Sequence, residues 1–246
     1  MAHPDSDSER ARSAGEQRGG IAHDHGSPRI AVDLRQKVIE RVRAQFGRPT
    51  GIPGRLAGGI MAHRPSNRRR NAWAVSLLDV QRGDRVLEIG FGPGIAIKEL
   101  SARAPEGYVC GLDHSAVMVQ QAARRNAEAV RRGQVDLRLG SVDELPDADA
   151  PFDKVLAVNV TPFWDRPVEL LENLRGVLRM GGRIAIAFQP RGPGATDEAA
   201  TTSGQQLVAA LRDAGFAQTR LETLELKPAV VCALGVNPSG EPGRRT

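Results

Sequence analysis

The sequence predicts an α/β fold built on a doubly wound, mostly parallel sheet of seven strands. After Gly83, short apolar segments alternate with helical segments, and this alternation favours a parallel sheet with helices on both faces. A glycine-rich turn follows the first of these segments, as in sheets that bind ligands beyond the carboxyl ends of their strands. Only Lys227, Pro228 and Ala229 separate the last two segments, which leaves no room for a helix and predicts an antiparallel final strand.

The elements follow from the spacing of apolar residues and from capping and breaking residues. The predicted strands cover residues 85–89, 108–112, 135–139, 154–158, 183–188, 221–226 and 230–234. The predicted helices between them cover residues 95–104, 115–132 with Ser115 as the cap, 167–178 and 202–214. Upstream, apolar spacing predicts one helix over residues 30–46 and a second from its cap, Ser66, to about residue 80.

The composition is typical of a soluble globular protein. Of 246 residues, 40% are hydrophobic and 26% are charged, which supports a sizeable core. No stretch approaches the ~20 consecutive apolar residues of a membrane span, and residues 1–8 lack the order of a secretory signal. Two cysteines, Cys110 and Cys232, cannot form a disulfide framework, so we expect a reduced, cytoplasmic protein that does not bind membranes.

Three regions differ in composition. Residues 1–28 are rich in small, polar and charged residues and predict a disordered tail. Residues 29–82 predict a helical N-terminal arm, whose glycines permit the bending of a lid over a pocket. Residues 83–246 are the predicted α/β domain. No metal site is expected, because the neighbouring His23 and His25 lie in the tail without further ligands.

Basic charge is concentrated on the N-terminal side of the chain. Residues 1–70 carry 14 Lys and Arg against 7 Asp and Glu, whereas residues 71–246 carry 20 against 22. A basic arm can contact nucleic acid, but a solvated surface is the favoured interpretation. Arg68, Arg69 and Arg70 lie in the first turn of a predicted helix, the end of the helix dipole that disfavours cations. They either meet an anion or project into water, and the sequence favours water.

The glycine-rich turn after the first strand limits the class of ligand. Gly90, Gly92 and Gly94 allow the backbone to turn sharply and to approach a ligand closely. A dinucleotide fingerprint needs a sixth-position glycine, and Ile95 stands there instead. Glu88, two residues before the first glycine, would repel a pyrophosphate but suits a ligand with an ammonium or sulfonium group.

Asp113 closes the second strand, 23 residues beyond Gly90. A carboxylate at the end of this strand faces the same crevice and can accept hydrogen bonds from both hydroxyls of a ribose. Together with the glycine loop, Asp113 therefore predicts a nucleoside that lacks a phosphate chain and carries a positive charge. S-adenosyl-L-methionine has this composition.

Here the sequence resembles the class I S-adenosylmethionine-dependent methyltransferases, over about residues 84–236. Five segments match the family's motifs in order: 86–94 (VLEIGFGPG), 111–115 (GLDHS), 140–146 (GSVDELP), 152–159 (FDKVLAVN) and 178–183 (LRMGGR). Each is weak alone, but five in this order and spacing are specific. The resemblance implies a Rossmann-like, seven-stranded sheet with a terminal antiparallel hairpin, in agreement with the elements predicted above, and S-adenosyl-L-methionine as the cofactor.

The resemblance also implies a role for each matching position of the loop and the second strand. Gly90, Gly92 and Gly94 let the loop pass under the methionine portion of the ligand. Glu88 orients the loop and the ligand's amino group. Asp113 binds the ribose hydroxyls.

Four further positions match residues that contact the adenine or the methionine portion. His114 lies against the adenine edge, and Val142 donates its backbone N–H to the ring. The family often has an acid where Ser141 stands, so Ser141 or Asp143 accepts the bond from the adenine amino group. Asn159, at the end of the fourth strand, faces the methionine portion and the methyl group.

The reaction implied by the resemblance is in-line transfer of a methyl group to a small-molecule acceptor. No residue is assigned as a catalytic base; His114 and His63 are the candidates. Phe163 and Trp164 either line an acceptor pocket or belong to the core. Only 9 residues are aromatic, and no stripe of aromatic and basic residues is present to stack bases, so nucleic acid is disfavoured as the acceptor.

Three alternatives remain open at this point. The first is an RNA methyltransferase that uses the basic N-terminal arm. The second is a nicotinamide-dependent oxidoreductase, against which Ile95 argues. The third is a non-catalytic S-adenosylmethionine-binding protein, because a fold does not fix a function and no base is evident.

Overall fold

A computed structural model of the chain describes residues 65–142, 145 and 149–239. The predicted tail, the helix predicted over residues 30–46, His63 and Asp143 lie outside these residues. The helices are α1 (Pro65–Leu77), α2 (Ile95–Arg103), α3 (Ala116–Arg125), α4 (Ala127–Arg131), α5 (Pro167–Val177) and α6 (Asp197–Asp213), with one 3-10 turn at Thr161–Phe163. The strands are β1 (Arg85–Ile89), β2 (Tyr108–Asp113), β3 (Val135–Leu139), β4 (Phe152–Val158), β5 (Leu178–Phe188), β6 (Ala217–Leu224) and β7 (Val230–Val236).

The seven strands form one sheet in the order β3-β2-β1-β4-β5-β7-β6. The first five strands pair in parallel, whereas β7 is antiparallel to both β5 and β6. The predicted fold class is therefore confirmed, including the antiparallel final strand. Strand order reverses between β1 and β4, and in sheets of this kind the ligand crevice opens beyond the carboxyl ends of the strands at that point.

Helices cover both faces of the sheet, each over its own apolar core. On one face α1, α2 and α3 pack against the strands, with Val75 of α1 fully buried. On the other face α5 and α6 pack, with Leu171 of α5 fully buried. Neighbouring residues of a strand alternate between the two cores, as Val86 and Leu87 do in β1. No helix within residues 65–142 or 149–239 is both long and apolar enough to cross a bilayer.

Helix α1 lies along one face of β5 and fixes part of the predicted arm to the sheet. Near its start, the Arg70 Nη1 donates to the Gln189 Oε1 just beyond the carboxyl end of β5, at 3.0 Å. Beyond its end, Asp79 pairs with Arg183 of β5 at 3.0 Å. Leu78 is fully buried in the core beneath. The helix therefore begins at the carboxyl edge of the sheet, over the ends of β4 and β5.

Helix α6 begins at Asp197, so the start predicted at residue 202 was wrong. Its first turn is set by polar residues rather than by apolar spacing. The Thr196 hydroxyl accepts the backbone N–H of Ala199 at 3.0 Å, and Asp197 and Glu198 lie in the first turn, where the helix dipole favours acids.

Other element boundaries also differ from prediction, and three elements show the largest differences. Strand β5 begins at Leu178 rather than at residue 183, so it starts directly after α5. Strand β6 covers Ala217–Leu224 rather than residues 221–226. The single helix predicted over residues 115–132 is broken at Asn126 into α3 and α4. The break matters because Asn126 contacts the glycine loop.

Candidate functional site

The glycine loop joins β1 to α2 at the point where strand order reverses. Gly90, Gly92 and Gly94 have φ values of +66°, +52° and +74°, which side-chain-bearing residues rarely adopt. The Gly90 N–H donates to the carbonyl oxygen of Leu112 at 2.7 Å and so ties the loop to the end of β2. A Cβ at Gly90 would lie 2.2 Å from Cγ1 of Val160, which follows β4. Only glycine lets the two chain segments approach this closely.

Asn126 supports the far end of the loop. Its side-chain Nδ2 donates to the carbonyl oxygens of Gly94, at 3.1 Å, and of Ala122, at 2.9 Å, and the residue is buried. Asn126 was not among the residues predicted from the sequence. The signal that it offered was an Asn in the middle of a predicted helix, where its side chain competes for backbone hydrogen bonds.

Asp113 lies at the carboxyl end of β2 and is only 6% exposed. Its Oδ2 accepts the backbone N–H of Gly92 at 2.8 Å, and its Oδ1 accepts that of Ser115 at 2.9 Å. Ser115 precedes α3 as predicted, but within the described residues its hydroxyl makes no capping bond. Ser115 is thus the N-cap residue, as predicted, and its backbone N–H rather than its hydroxyl makes the bond, to the Asp113 carboxylate. Asp113 thus links the glycine loop to the start of α3.

Open space lies beside Gly92, whose backbone N–H donates to the Asp113 carboxylate. Apart from Gly92 and its two chain neighbours, no heavy atom of the described residues comes within 4 Å of the place where a Cβ of Gly92 would stand. Unlike Gly90, Gly92 therefore faces no side chain of the described residues beyond its chain neighbours. The loop leaves this flank of its backbone, next to the Asp113 carboxylate, available to a ligand.

Glu88 is a second carboxyl group beneath the loop, and it is 2% exposed. Its Oε2 is buried without a hydrogen-bond partner among the residues that the structure describes. Burial, and then the nearby Asp113 carboxylate, raise the pKa of Glu88 well above its usual range. Burial also raises the pKa of Asp113, while the N–H groups of Ser115 and Gly92 lower it part of the way.

The two carboxyl groups form a site that suits a cation. No Lys or Arg of the described ranges is among the groups that shift either pKa. A positively charged ligand group beside Glu88 would lower its pKa and relieve the cost of burying the pair.

The remaining predicted residues of the nucleoside side lie at the same edge. Asp113 pairs with Leu139 of β3, and its carbonyl oxygen accepts the Gly140 N–H at 3.1 Å, so Ser141 follows β3 close to Asp113. Ser141 is half-buried, and Val142 packs against the core under α5 and α6. His114 is exposed directly after Asp113.

Asn159 lies across the crevice, directly after β4, with a φ of +58°. Its side chain bridges to the next strand: Oδ1 accepts the Gln189 N–H at 2.8 Å, and Nδ2 donates to the Gln189 carbonyl oxygen at 3.3 Å. Asn159 therefore joins the carboxyl ends of β4 and β5. After it, Phe163 is exposed, whereas Trp164 is half-buried and packs against the core.

The three arginines of α1 do not behave alike. Arg68 and Arg69 are exposed, as the favoured interpretation predicted, but Arg70 is 5% exposed, so the prediction that it projects into water was wrong. The sequence did contain a signal for the burial of Arg70, namely a cation at the start of a predicted helix, where the helix dipole disfavours it. Its partner, Gln189, is distant in sequence and could not be inferred from it.

Comparisons with known proteins agree with this geometry. A family model for a methyltransferase domain matches residues 86–182. The protein named Uncharacterized methyltransferase YdaC, from Bacillus subtilis, is 34% identical over 185 residues, which are 75% of this chain and 99% of that protein. Phosphatidylethanolamine N-methyltransferase from Cereibacter sphaeroides is 30% identical over 170 residues, 66% of this chain and 80% of that protein.

A solved structure shows the same fold. The crystal structure of a SAM-dependent methyltransferase from Aquifex aeolicus matches with a TM-score of 0.58 and 21% identity, over 70% of this chain and 93% of that chain. The sheet order, the glycine loop and the Bacillus subtilis relative, which is matched over 99% of its length, together define the class of protein. The chain belongs to the class I S-adenosylmethionine-dependent methyltransferases, and S-adenosyl-L-methionine is its cofactor.

The residues present fit this cofactor. The open flank at Gly92 gives the ligand access to the loop backbone. The unpartnered Oε2 of Glu88 is a buried acceptor without a donor among the described residues, and the cofactor's amino group is a donor. The Asp113 carboxylate keeps acceptor capacity beyond its two backbone bonds, since an ionised carboxylate offers about four lone-pair positions.

Replacement of Glu88 by glutamine is expected to remove a pH-dependent loss of stability. In the unfolded chain Glu88 ionises near its usual pKa, whereas the folded chain holds the proton to a higher pH. Below the unfolded pKa both states are protonated; as pH rises, the unfolded state loses its proton first, and the folded state loses relative stability up to the folded pKa. Glu88→Gln should therefore be more stable than the wild type at pH 7, and this difference should shrink toward pH 4.

Urea unfolding of both proteins from pH 4 to pH 8 measures this difference. Glu172→Gln is the matched control, because Glu172 is exposed on α5. Its difference from the wild type should stay flat with pH. A Glu88→Gln difference that is equally flat would contradict the prediction.

Proposed function

We propose that this methyltransferase acts on a small-molecule acceptor, which enters over the carboxyl ends of β4 and β5. The observation that carries the proposal is the position of α1. Two side-chain contacts, Arg70 with Gln189 and Arg191 with Asn67, hold the start of α1 over this edge of the sheet. A helix held there encloses the acceptor side of the crevice, and an enclosed crevice suits a small acceptor better than a nucleic-acid chain.

Charge and relatives support the same acceptor class. The part of the chain from residue 71 onward carries slightly more acidic than basic residues, whereas nucleic-acid binding depends on basic side chains at phosphates. The relative from Cereibacter sphaeroides is named for a phospholipid acceptor, a small molecule rather than a nucleic acid.

Each side chain of the site has a role in this proposal. Asp113 binds the ribose hydroxyls, with Gly92 and Ser115 holding the carboxylate in place. Glu88 binds the amino group of the methionine portion, which lies along the glycine loop at Gly90, Gly92 and Gly94.

The adenine side is formed by the segments after β2 and β3. His114 lies against the ring edge, Val142 offers its backbone N–H, and Ser141 accepts from the adenine amino group. Asn159 is a positioning residue on the methionine side. Its two hydrogen bonds to Gln189 fix the end of β4, which lies beside the methyl group in this proposal.

When bound, the cofactor supplies a methyl group on a sulfonium, which leaves as a neutral thioether. The chain's own contribution is alignment and the exclusion of water. Alignment of two reactants is worth up to about 7–11 kcal/mol of the barrier in favourable cases. The proposal assigns no general base, because an acceptor that is already a good nucleophile needs none.

A transfer assay separates this function from its alternatives. The full chain is incubated with S-adenosylmethionine labelled in the methyl group and, separately, with a small-metabolite fraction and with total RNA. We expect label in the small-metabolite fraction and none in RNA, with Asp113→Ala as the inactive control. Label in RNA would contradict the proposal. Calorimetric binding of the cofactor without transfer to any fraction would favour the non-catalytic alternative.

A further inference from the structure

Arg70 carries a charge that the described residues do not neutralise. It is 5% exposed, and one guanidinium nitrogen, Nη1, donates to the neutral amide oxygen of Gln189 at 3.0 Å. A second, Nε, is buried and has no hydrogen-bond partner among residues 65–142 and 149–239. Burial of a charged group with an unpartnered donor costs free energy, so the buried Nε of Arg70 indicates that a ligand or a partner binds there.

The surroundings of Arg70 increase this cost. Burial lowers the pKa of Arg70 to about 9, and the positive charge of Arg191 lowers it as well; no carboxylate of the described ranges is among the causes. Arg191 itself donates to the side-chain oxygen of Asn67, one turn before Arg70. Arg70 is thus buried beside an amide and next to a second guanidinium group, that of the exposed Arg191, whose positive charge adds to the cost.

This arginine pair lies on the acceptor side of the crevice. Gln189 and Arg191 follow β5, and Asn159 fixes Gln189 to the end of β4. Strand β4 pairs with β1, where the glycine loop begins. Adjacent strands lie ~4.8 Å apart, so the end of β5 is about 10 Å from the glycine loop, within the reach of a small acceptor.

The Gln189 side chain holds the pair in place. Its Oε1 accepts from Arg70, and its Nε2 donates to the carbonyl oxygen of Pro228 at 2.8 Å. Gln189 is itself buried, so both of its polar ends are used within the protein. The guanidinium of Arg70 is thereby fixed in a position that its own helix alone would not define.

We propose that Arg70 and Arg191 form an oxyanion site that binds a carboxylate or phosphate group on the methyl acceptor. The inference rests on the proposed function and narrows it, since it defines the acceptor as an anion. Guanidinium groups suit this ligand because their planar donors match the oxygens of carboxylates and phosphates. An anion bound here would pair with the buried charge and accept from the unpartnered Nε.

The test observes the Nε–H group of Arg70 directly by nitrogen-15 NMR. The full chain is titrated with sodium benzoate and, separately, with inorganic phosphate, with and without saturating S-adenosylhomocysteine. The Arg70 resonance is assigned by its disappearance in Arg70→Lys. We expect this resonance to shift in a saturable manner with at least one of the two anions in the wild type.

Two variants of α1 provide the comparison. Arg70→Lys keeps the charge but loses the planar donors and the observed resonance, so anion affinity is compared between variants by isothermal titration calorimetry, and we expect Arg70→Lys to weaken it about tenfold. Arg69→Lys is the matched control on the same helix, and its affinity should stay within about twofold, because Arg69 is exposed. Binding of S-adenosylhomocysteine should be the same in both variants, which also shows that they are folded.

The outcomes separate this inference from the proposed function. Saturation with benzoate alone supports a carboxylate acceptor, and saturation with phosphate alone supports a phosphate ester. Binding of S-adenosylhomocysteine without a saturable shift from either anion would overturn the oxyanion site and leave the proposed function standing. A saturable anion shift in a chain that transfers label only to RNA would overturn the proposed acceptor and the acceptor role of the site.

Discussion

Replacement of Asp113 by alanine is expected to weaken the binding of S-adenosylmethionine and S-adenosylhomocysteine at least ~100-fold, or about 3 kcal/mol. Two losses add in this variant. The carboxylate that we assign to the ribose hydroxyls disappears, and the N–H groups of Gly92 and Ser115 lose their acceptor, so the glycine loop is no longer tied to the start of α3. Isothermal titration calorimetry with both ligands measures the change.

Asp153→Ala is the matched control for this experiment. The Asp153 Oδ2 also accepts a backbone N–H, that of Arg85 at 2.7 Å, but at the amino end of β4. It lies at the opposite edge of the sheet, so cofactor affinity should stay near that of the wild type even where stability falls. A comparable loss of affinity in both variants would show that Asp113 acts only through general stability, and it would remove the assignment to the ribose.

Replacement of Gly90 by alanine is expected to destabilise the fold by about 3 kcal/mol. About 1–2 kcal/mol comes from a side chain at positive φ, and about 1–3 kcal/mol from forcing a methyl group against Val160. The new Cβ would stand 2.2 Å from the Val160 Cγ1. Urea unfolding measures the free energy difference.

Two further variants separate the contribution of backbone strain from that of the clash with Val160. Val160→Ala removes the clashing methyl group, so the double variant should recover about 1 kcal/mol relative to additivity. Gly133→Ala, at φ +73° with no described heavy atom beyond its chain neighbours within 4 Å of its new Cβ, should show the strain alone, about 1–2 kcal/mol. A Gly90→Ala loss no larger than that of Gly133→Ala would contradict the close approach of the loop to Val160.

Short-range patterns made the fold, the glycine loop and the position of Asp113 predictable. The alternation of apolar and helical segments predicts the seven strands, and the short connection at residues 227–229 predicts the antiparallel end of the sheet. Both signals lie in residues that are close together in the sequence. The glycine loop and Asp113 are likewise local, because each is a few residues at the end of one strand. The structure places them at one edge, with Asp113 bound to Gly92.

The contacts of α1 over the ends of β4 and β5 could not be predicted in the same way. Arg70 is buried through Gln189, which lies 119 residues further along the chain. Asn159 likewise depends on Gln189 for its side-chain partners. Such contacts depend on how α1 lies over the ends of β4 and β5, which no periodicity encodes. The start of α6 was missed for a different reason. Its first turns contain alanines but no large apolar residue whose spacing would indicate a helix, and the cap residue Thr196 was not considered.

The order of the strands also governs how the chain can assemble. Strand β7 lies between β5 and β6, yet it is the last of the seven to be synthesised. Until it is made, one edge of β5 and all of β6 have no neighbour, and unpaired strand edges favour aggregation. We therefore expect nascent chains that stop before residue 230 to need chaperone protection, although the five parallel strands and the glycine loop are already complete.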